Sequence, residues 1–428
     1  MKVCLVADYI PGFHRKWSGA EIYCYRLYET LNSNNVDACI LTSPFELPNT
    51  TSEKLLPVRS IFKLDGKIAR LFQPLIDPLA ILDCYVKLRK IKPDIIHIHS
   101  KYLLLPVMIS ARLLGIKTAY TFLDYFLLCH RNTFLRDDGS ICPKHQGIWC
   151  AECSLQIIAG LPAKNLLKLM LKLIACYRTM LLKAILRRID LYIALTEASK
   201  KRAIEHGIAE DKIKVNYYYV PKITQPENRA AIARKYNLDP ALRYLLFVGS
   251  ISYHKGLEVL ISALRLIAVR HQQVRLLVGI GDAVPAHLAK IKESIAANKL
   301  NKIVIFLPKM ENSEVRNMIN FSEIMIVPEQ WPNEFGPVIL VEALFYGRPV
   351  IASRIGGIGE FIVEGKNGYT FTHNDPAELA AKTDQLLSDR QLYRQLLAYS
   401  QEDLLKLPVF NDDLIAIYRR TIGKESAA

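Results

Sequence analysis

Short apolar runs alternate with amphipathic stretches along the whole chain. In the first half the runs VCLVA, DACIL, DIIHIHS, KTAYTF, LYIAL and KIKVNYYY are rich in β-branched and aromatic residues, and stretches such as AEIYCYRLYETL have helical spacing. That alternation predicts a parallel sheet wrapped by helices. The pattern lapses over 221–240, PKITQPENRAAIARKYNLDP, where proline and polar residues gather. It restarts with YLLFVGS, VRLLVGI, KIVIFL, EIMIVP and RPVIAS, each followed by a helical segment. The expectation is an α/β protein with two Rossmann-like domains facing across a cleft, since ligands lie at the carboxyl ends of such strands. The first domain is set at 1–220 and the second at 221–400, with a helical tail over 401–428 free to pack back on the first.

Composition narrows the partners. A chain of 428 residues exceeds one comfortable core, and 51% hydrophobic residues suffice for large buried sheets. Fifty-six basic residues against 41 acidic ones give a net charge of +15, which favours phosphorylated ligands, lipid headgroups or nucleic acid. No zinc finger, helix-turn-helix or aromatic stacking motif accompanies the lysines, so no nucleic-acid partner is expected. Asp8 interrupts the first apolar run, which reads as an opening strand and not as a signal peptide. There is no uncharged run of the ~20 residues that a spanning helix needs. Nine cysteines without a secretion signal read as reduced thiols in a cytoplasmic protein. GIGD at 279–282 lacks the further glycine of a dinucleotide fingerprint, which argues against a nicotinamide site.

The segment NEFGPVILVEALFYGRPVIASRIGGIGEF, 333–361, carries the sharpest chemical signal. Pro337 suits a helix start, 338–346 reads as the helix and Gly347 as its end, before RPVIAS resumes as a strand. Apolar residues fill nearly every face of that helix, yet Glu342 projects from it. A carboxylate in such surroundings is costly unless a fixed partner answers it, and a ligand's hydroxyl pair would be one. A backbone amide or Arg348 would be another. Glu334, eight positions earlier, is either a second ligand group or a solvated loop residue.

With SGAE at 18–21, DIIHIHS, TFLDYFLLC, FVGSISYHKG at 247–256 and the block 329–362, the chain resembles the retaining glycosyltransferases of family four, the E-x7-E enzymes of GT-B fold. The resemblance covers most of the chain. It implies that Glu342 accepts hydrogen bonds from a donor's ribose hydroxyls and that Glu334 holds sugar hydroxyls on the reacting ring. Lys255 and the backbone beside Phe335, Gly336 and Pro337, at the helix start, would receive the diphosphate. Gly19 would let backbone approach the phosphates, and Asp124 stands where the family keeps an aspartate. The catalytic set so implied is Glu334, Lys255 and Asp124. No cofactor is required; a nucleotide diphosphate sugar is the donor. Departures fall at Leu123, where the family often has histidine, at Ser250, where it often has arginine, and at Pro308, where glycine is common. They put the acceptor side in doubt.

Two further features add partners. Residues 164–189, KNLLKLMLKLIACYRTMLLKAILRRI, place Lys164, Lys168 and Lys172 at i, i+4 spacing, with Lys183 and Arg187 near the same face. This is the pattern of an interfacial helix on anionic lipid; the alternative is an ordinary amphipathic helix covering the first sheet. Cys129, Cys142, Cys150 and Cys153, with His130 and His145 among them, lie in a segment of little periodicity, and Cys150 and Cys153 have the C-x2-C spacing of a structural zinc site. The alternative is four reduced apolar thiols. The implied activity moves a sugar to a hydroxyl of a glycan or lipid-linked acceptor in surface polysaccharide assembly, at the inner face of the cytoplasmic membrane. A nucleotide-sugar epimerase of the same fold and a non-catalytic glycan-binding subunit are the competing readings.

Overall fold

The computed structural model describes residues 1–11, 14, 19–43, 54–61, 76–136, 140–142, 147, 149–150, 153, 165–217, 227–410 and 413–424, the side chains of 165–168, 171 and 282 apart. The chain forms two units, Met1–Tyr219 with Asp412–Ala428, and Val220–Asn411.

Among the described residues the first unit holds seven strands: β1 (Lys2–Ala7), β2 (Asp37–Thr42), β3 (Leu55–Pro57), β4 (Ile95–Ile98), β5 (Lys117–Thr121), β6 (Leu191–Ala194) and β7 (Ile213–Val215). They are ordered β3-β2-β1-β4-β5-β6-β7, and every pairing is parallel. Strands buried on both faces explain why the runs read as continuously apolar. Val3, Leu5, Ile40, Ile95, Ala119 and Ile193 meet in one core.

The second unit repeats the plan with β8 (Arg243–Ile251), β9 (Val274–Ala283), β10 (Val304–Leu307), β11 (Ile324–Val327), β12 (Val350–Ser353) and β13 (Gly368–Phe371). Their order is β10-β9-β8-β11-β12-β13, again wholly parallel. The chain thus carries two doubly wound sheets, each reversing its winding beside its first strand, β1 or β8. A ligand crevice forms outside the carboxyl ends at such a reversal. β3 and β13 were not among the runs read from the sequence. Both lie at sheet edges, where three or four residues suffice and leave little periodicity.

The tail divides at 411/412, not at 400/401 as expected. The Gln401–Leu405 helix stays with the second unit, where the Gln401 amide donates to the Phe345 carbonyl at 3.0 Å. The Leu414–Thr421 helix buries Leu414, Ile417 and Tyr418 in the first unit's core. There Tyr418 Oη meets His97 Nδ1 at 2.5 Å, while His97 Nε2 meets Thr121 Oγ1 at 2.6 Å. Burial holds the His97 pKa well below its ordinary value. His97 is a neutral strap between β4, β5 and the last helix. The region expected to hold the domain boundary lies in part, 221–226, outside the described residues.

Candidate functional site

In the second unit the chemistry gathers where β8 and β11 end. A short turn, Tyr253–Lys255, follows β8, and Gly256 then starts the Leu257–Arg270 helix. Gly256 has φ +64°, and a Cβ there would lie 1.8 Å from the Pro328 carbonyl oxygen. Only glycine lets the loop after β8 close on the loop after β11. The Gln330 amide seals the same seam, donating to the His254 carbonyl at 2.7 Å. The next residues on either side of the contact, Lys255 and Glu329, are therefore driven together.

Lys255 Nζ lies 2.7 Å from Glu329 Oε2 and 3.7 Å from Glu334 Oε2. The Glu329 side chain is 1% exposed, that of Glu334 11%, and that of Lys255 32%. Burial works against the Lys255 charge, but the carboxylates of Glu329 and then Glu334 outweigh it and raise its pKa. Burial pushes Glu329 up to about 7, against the pull of Lys255 and with the help of Glu334. The result is one cation between two acids, reachable on the Lys255 and Glu334 side. Ser250, whose hydroxyl lies 3.3 Å from that of Ser252, adds no charge.

Glu334 is fixed at both ends. Its Oε1 accepts from the Phe335 amide at 3.0 Å, and its carbonyl accepts from the Gly357 amide at 2.8 Å. Gly356 has φ +52°, and a Cβ there would lie 2.2 Å from that carbonyl oxygen. The glycine pair after β12 is thus the surface against which the Glu334 backbone rests. Phe335 and Gly336 are buried. Pro337 caps the Val338–Phe345 helix without a side-chain hydrogen bond. That helix is not buried all round, as its composition had led us to expect. Leu340, Val341, Ala343, Leu344 and Phe345 are buried, whereas Val338, Ile339, Glu342 and Tyr346 form a half-buried face. Glu342 lies on that face.

Of the sequence-predicted residues, Lys255, Glu334, Phe335, Gly336, Pro337 and Glu342 belong to the second unit. Gly19 and Asp124 belong to the first. Gly19 opens the Gly19–Ser33 helix after β1. Asp124 follows β5, pairs with Lys101 and accepts from the Phe126 amide at 2.9 Å. The sequence reading missed Glu329 and Asp8. Asp8, at the end of β1, is a hub: its carboxylate accepts from the Ser100 hydroxyl, from the Lys101 amide at 3.0 Å and from the Tyr102 amide at 3.2 Å. Burial raises its pKa. The signal available for both was position: each acid stands just past the first or fourth strand of a doubly wound sheet.

Cys129, Cys142 and Cys153 lie close enough to Cys150 to act on its thiol. Cys129 Sγ takes the backbone amides of Arg131, Phe134 and Thr133, and Cys150 Sγ takes the Gly147 amide at 3.5 Å. Burial pushes the Cys150 thiol up to about 11, with Cys129, Cys153 and Cys142 adding to the rise. A bridge between Leu135 and Ile141 orders part of this segment. Arg178, 3% exposed, lies against Cys129 and Cys150, and its Nε has no hydrogen-bond partner. All nine cysteines are thiols. Among the described residues no group of three or more His, Cys, Asp and Glu is arranged to hold a metal ion. His145 lies outside the described residues.

The basic stretch forms the Asn165–Arg188 helix, with Lys164 and the Lys168 side chain outside the described set. Leu169, Met170, Leu173, Tyr177 and Met180 are exposed by 54, 52, 62, 49 and 72%. At 3.6 residues per turn they share one face, flanked by the exposed Lys172, Lys183 and Arg187. The rest of the helix buries Ala175, Leu182 and Ile185. Among the described residues no helix is long and apolar enough to cross a membrane.

Comparison with known proteins agrees with this geometry. Residues 17–220 match the family described as Glycosyltransferase Family 4, and residues 228–403 the family described as Glycosyl transferases group 1. An uncharacterized glycosyltransferase of Methanocaldococcus jannaschii is 30% identical over 151 residues, which are 35% of this chain and 40% of that protein. The D-inositol 3-phosphate glycosyltransferase of Pseudarthrobacter chlorophenolicus is 28% identical over 200 residues, 46% of this chain and 47% of that protein. The chain spans about half the length, or less, of these curated relatives. Anabaena HepE, solved in complex with UDP, shares the fold with a TM-score of 0.67 at 17% identity, over 98% of both chains. With both halves matched and the two doubly wound sheets in place, the chain belongs to the glycosyltransferases of the family-four type, with the GT-B fold.

Proposed function

We propose that the protein moves a sugar from a nucleoside diphosphate sugar to a hydroxyl of a glycan or glycolipid, with retention at the anomeric carbon. The observation that carries this reading is the Lys255–Glu334 pair beside the start of the Val338–Phe345 helix. A cation and a helix N-terminus suit a diphosphate; a fixed, partly exposed carboxylate suits sugar hydroxyls. Lys255 takes charge that develops on the leaving phosphate, Glu334 holds the transferred ring, and Glu342 accepts from the ribose hydroxyls. The acceptor oxygen bonds to the anomeric carbon as the bond to phosphate breaks on the same face, and the acceptor's proton passes to the departing phosphate oxygen. Gly19 and Asp124 serve the phosphate and acceptor sides. UDP is the nucleotide to try first, because it is the one in the HepE complex.

The test is a thermal-shift and turnover screen over UDP-sugars, since a bound donor raises the melting temperature by mass action. Donor-dependent stabilisation with transfer to an added glycan acceptor is expected. Rapid sugar-nucleotide turnover without acceptor favours an epimerase, and no donor binding favours a non-catalytic subunit.

The setting we infer is surface polysaccharide assembly at the inner face of the cytoplasmic membrane. The exposed apolar stripe of the Asn165–Arg188 helix, edged by Lys172, Lys183 and Arg187, supports it. Such a face buries its leucines in the acyl boundary while its cations meet anionic headgroups. A structural zinc at Cys129, Cys142, Cys150 and Cys153 is proposed on two grounds: the C-x2-C spacing of Cys150 and Cys153, and Cys129, Cys142 and Cys153 lying close enough to act on the Cys150 thiol. Binding would draw the sulfurs in to a closed tetrahedral site.

A further inference from the structure

Glu329 is a buried acid held against a cation. Its carboxylate takes the Trp331 backbone amide and, through Oε2, meets Lys255 at 2.7 Å. The charged groups facing the carboxylate are Lys255 from the turn after β8 and Glu334 from its own loop; His254 stands next to Lys255 and feels both. A buried carboxylate in this state depends on Lys255 for its charge. Lys255 is also the cation that the proposed donor diphosphate needs.

From this competition we propose that Glu329 is a positioning residue that holds Lys255 in the donor-free site and takes up a proton when a nucleoside diphosphate draws Lys255 away. The inference rests on the donor reading above. Its physical basis is direct. The diphosphate draws away the cation paired with Glu329 and adds negative charge nearby, and both changes favour the neutral acid. The proton comes from solvent and goes to the Glu329 carboxylate; no bond of the nucleotide changes. Burial already places this acid near neutrality, so the uptake falls in an accessible range.

The sign follows from linkage. If the bound state carries one proton more than the free state, affinity is highest where Glu329 is already protonated, below about pH 7, and falls as the pH rises. The limiting slope, reached above pH 7, is tenfold per pH unit, so the Kd for UDP should rise by up to about fifteenfold between pH 7 and 8.5.

The experiment is calorimetric titration of the full chain with UDP at pH 7.0, 7.75 and 8.5, in two buffers of different ionisation enthalpy. Wild type should take up about one proton per UDP at the upper end. Glu329→Gln, which fixes the neutral state, should bind UDP with little dependence on pH and more tightly than wild type at pH 8.5. His254→Asn should keep the wild-type slope. UDP's own terminal phosphate ionises near pH 6 and is common to all the variants, so it cancels in the comparison. Wild-type binding without proton uptake overturns the role of Glu329 while leaving the donor reading intact. So does a Glu329→Gln protein that is folded but binds UDP more weakly at every pH. No UDP binding to wild type at any pH removes the donor reading itself. Should Glu329→Gln fail to fold, the wild-type proton count decides alone.

Discussion

Replacing Lys255 by Met tests the buried triad without any ligand. In the wild type burial raises the Glu329 pKa to about 7, and Lys255, 2.7 Å away, keeps it from rising further. Its unfolded value is near 4.3. A folded pKa above the unfolded one contributes stability at low pH that is lost as the pH rises toward the folded value. The loss stops growing once the folded group ionises. Removing the cation takes away the strongest pull toward that ionisation and leaves only the Trp331 amide against burial and Glu334, so in Lys255→Met the acid ionises at higher pH and the loss continues past pH 7. Each further pH unit then costs about 1.4 kcal/mol relative to wild type. Between pH 7 and 8.5 the extra loss is about 2 kcal/mol, which in a unit of this size is a melting-temperature deficit growing by roughly 4 to 8 °C. Differential scanning calorimetry of both proteins at pH 6.5 and 8.5 measures it. Lys255→Met/Glu329→Gln should lose the pH dependence, because no buried acid remains at that position. Equal deficits at both pH values would refute the reasoning, since they would mean that Glu329 reaches water or another cation once Lys255 is gone.

Four further outcomes are expected. Glu334→Gln and Glu342→Gln should each lower transfer by tens to about a hundredfold with the fold intact, from the loss of a charged hydrogen bond worth roughly 1.5–3 kcal/mol; near-wild-type turnover in both would remove them from the donor site. Gly356→Ala places a Cβ 2.2 Å from the Glu334 carbonyl in a left-handed backbone, so it should destabilise the fold by about 1–2 kcal/mol from backbone conformation alone and slow transfer by shifting Glu334; an unchanged rate would show that the glycine pair is only a turn. Leu173→Glu with Met180→Glu should abolish flotation with anionic vesicles while circular dichroism stays unchanged, and binding by wild type should weaken steadily with salt; equal binding to neutral and anionic vesicles would contradict the charged edge of the helix. Elemental analysis of protein purified without chelator should give about one zinc per chain, lost in Cys150→Ser with Cys153→Ser; metal-free protein of unchanged stability would leave four plain thiols.

Much of the architecture lies in local signals. Continuous apolar runs such as DACIL and LYIAL become doubly buried parallel strands because nothing but a core accepts them on both faces. Repetition of the pattern announced two sheets, and the Pro337-to-Gly347 helix was legible because its ends carry their own chemistry. Lys255 and Glu334 stand in segments that lead into helix starts, and Glu342 stood out as the one acid of an apolar helix. What local signals could not reach were relations between residues far apart in sequence. Glu329 and Lys255 are separated by 74 positions, and only the closure of Gly256 on Pro328 makes them an ion pair. Gly356 acquires its meaning from the Glu334 carbonyl beneath it. The last helix reaches His97 across 321 positions, and no periodicity of its own could show that. The sequence by itself determined which segments must be strands and helices and which residue types could meet a charged donor. The tertiary structure decided which charges stand together in a low dielectric, because burial and pairing depend on distances that only the packed sheets set.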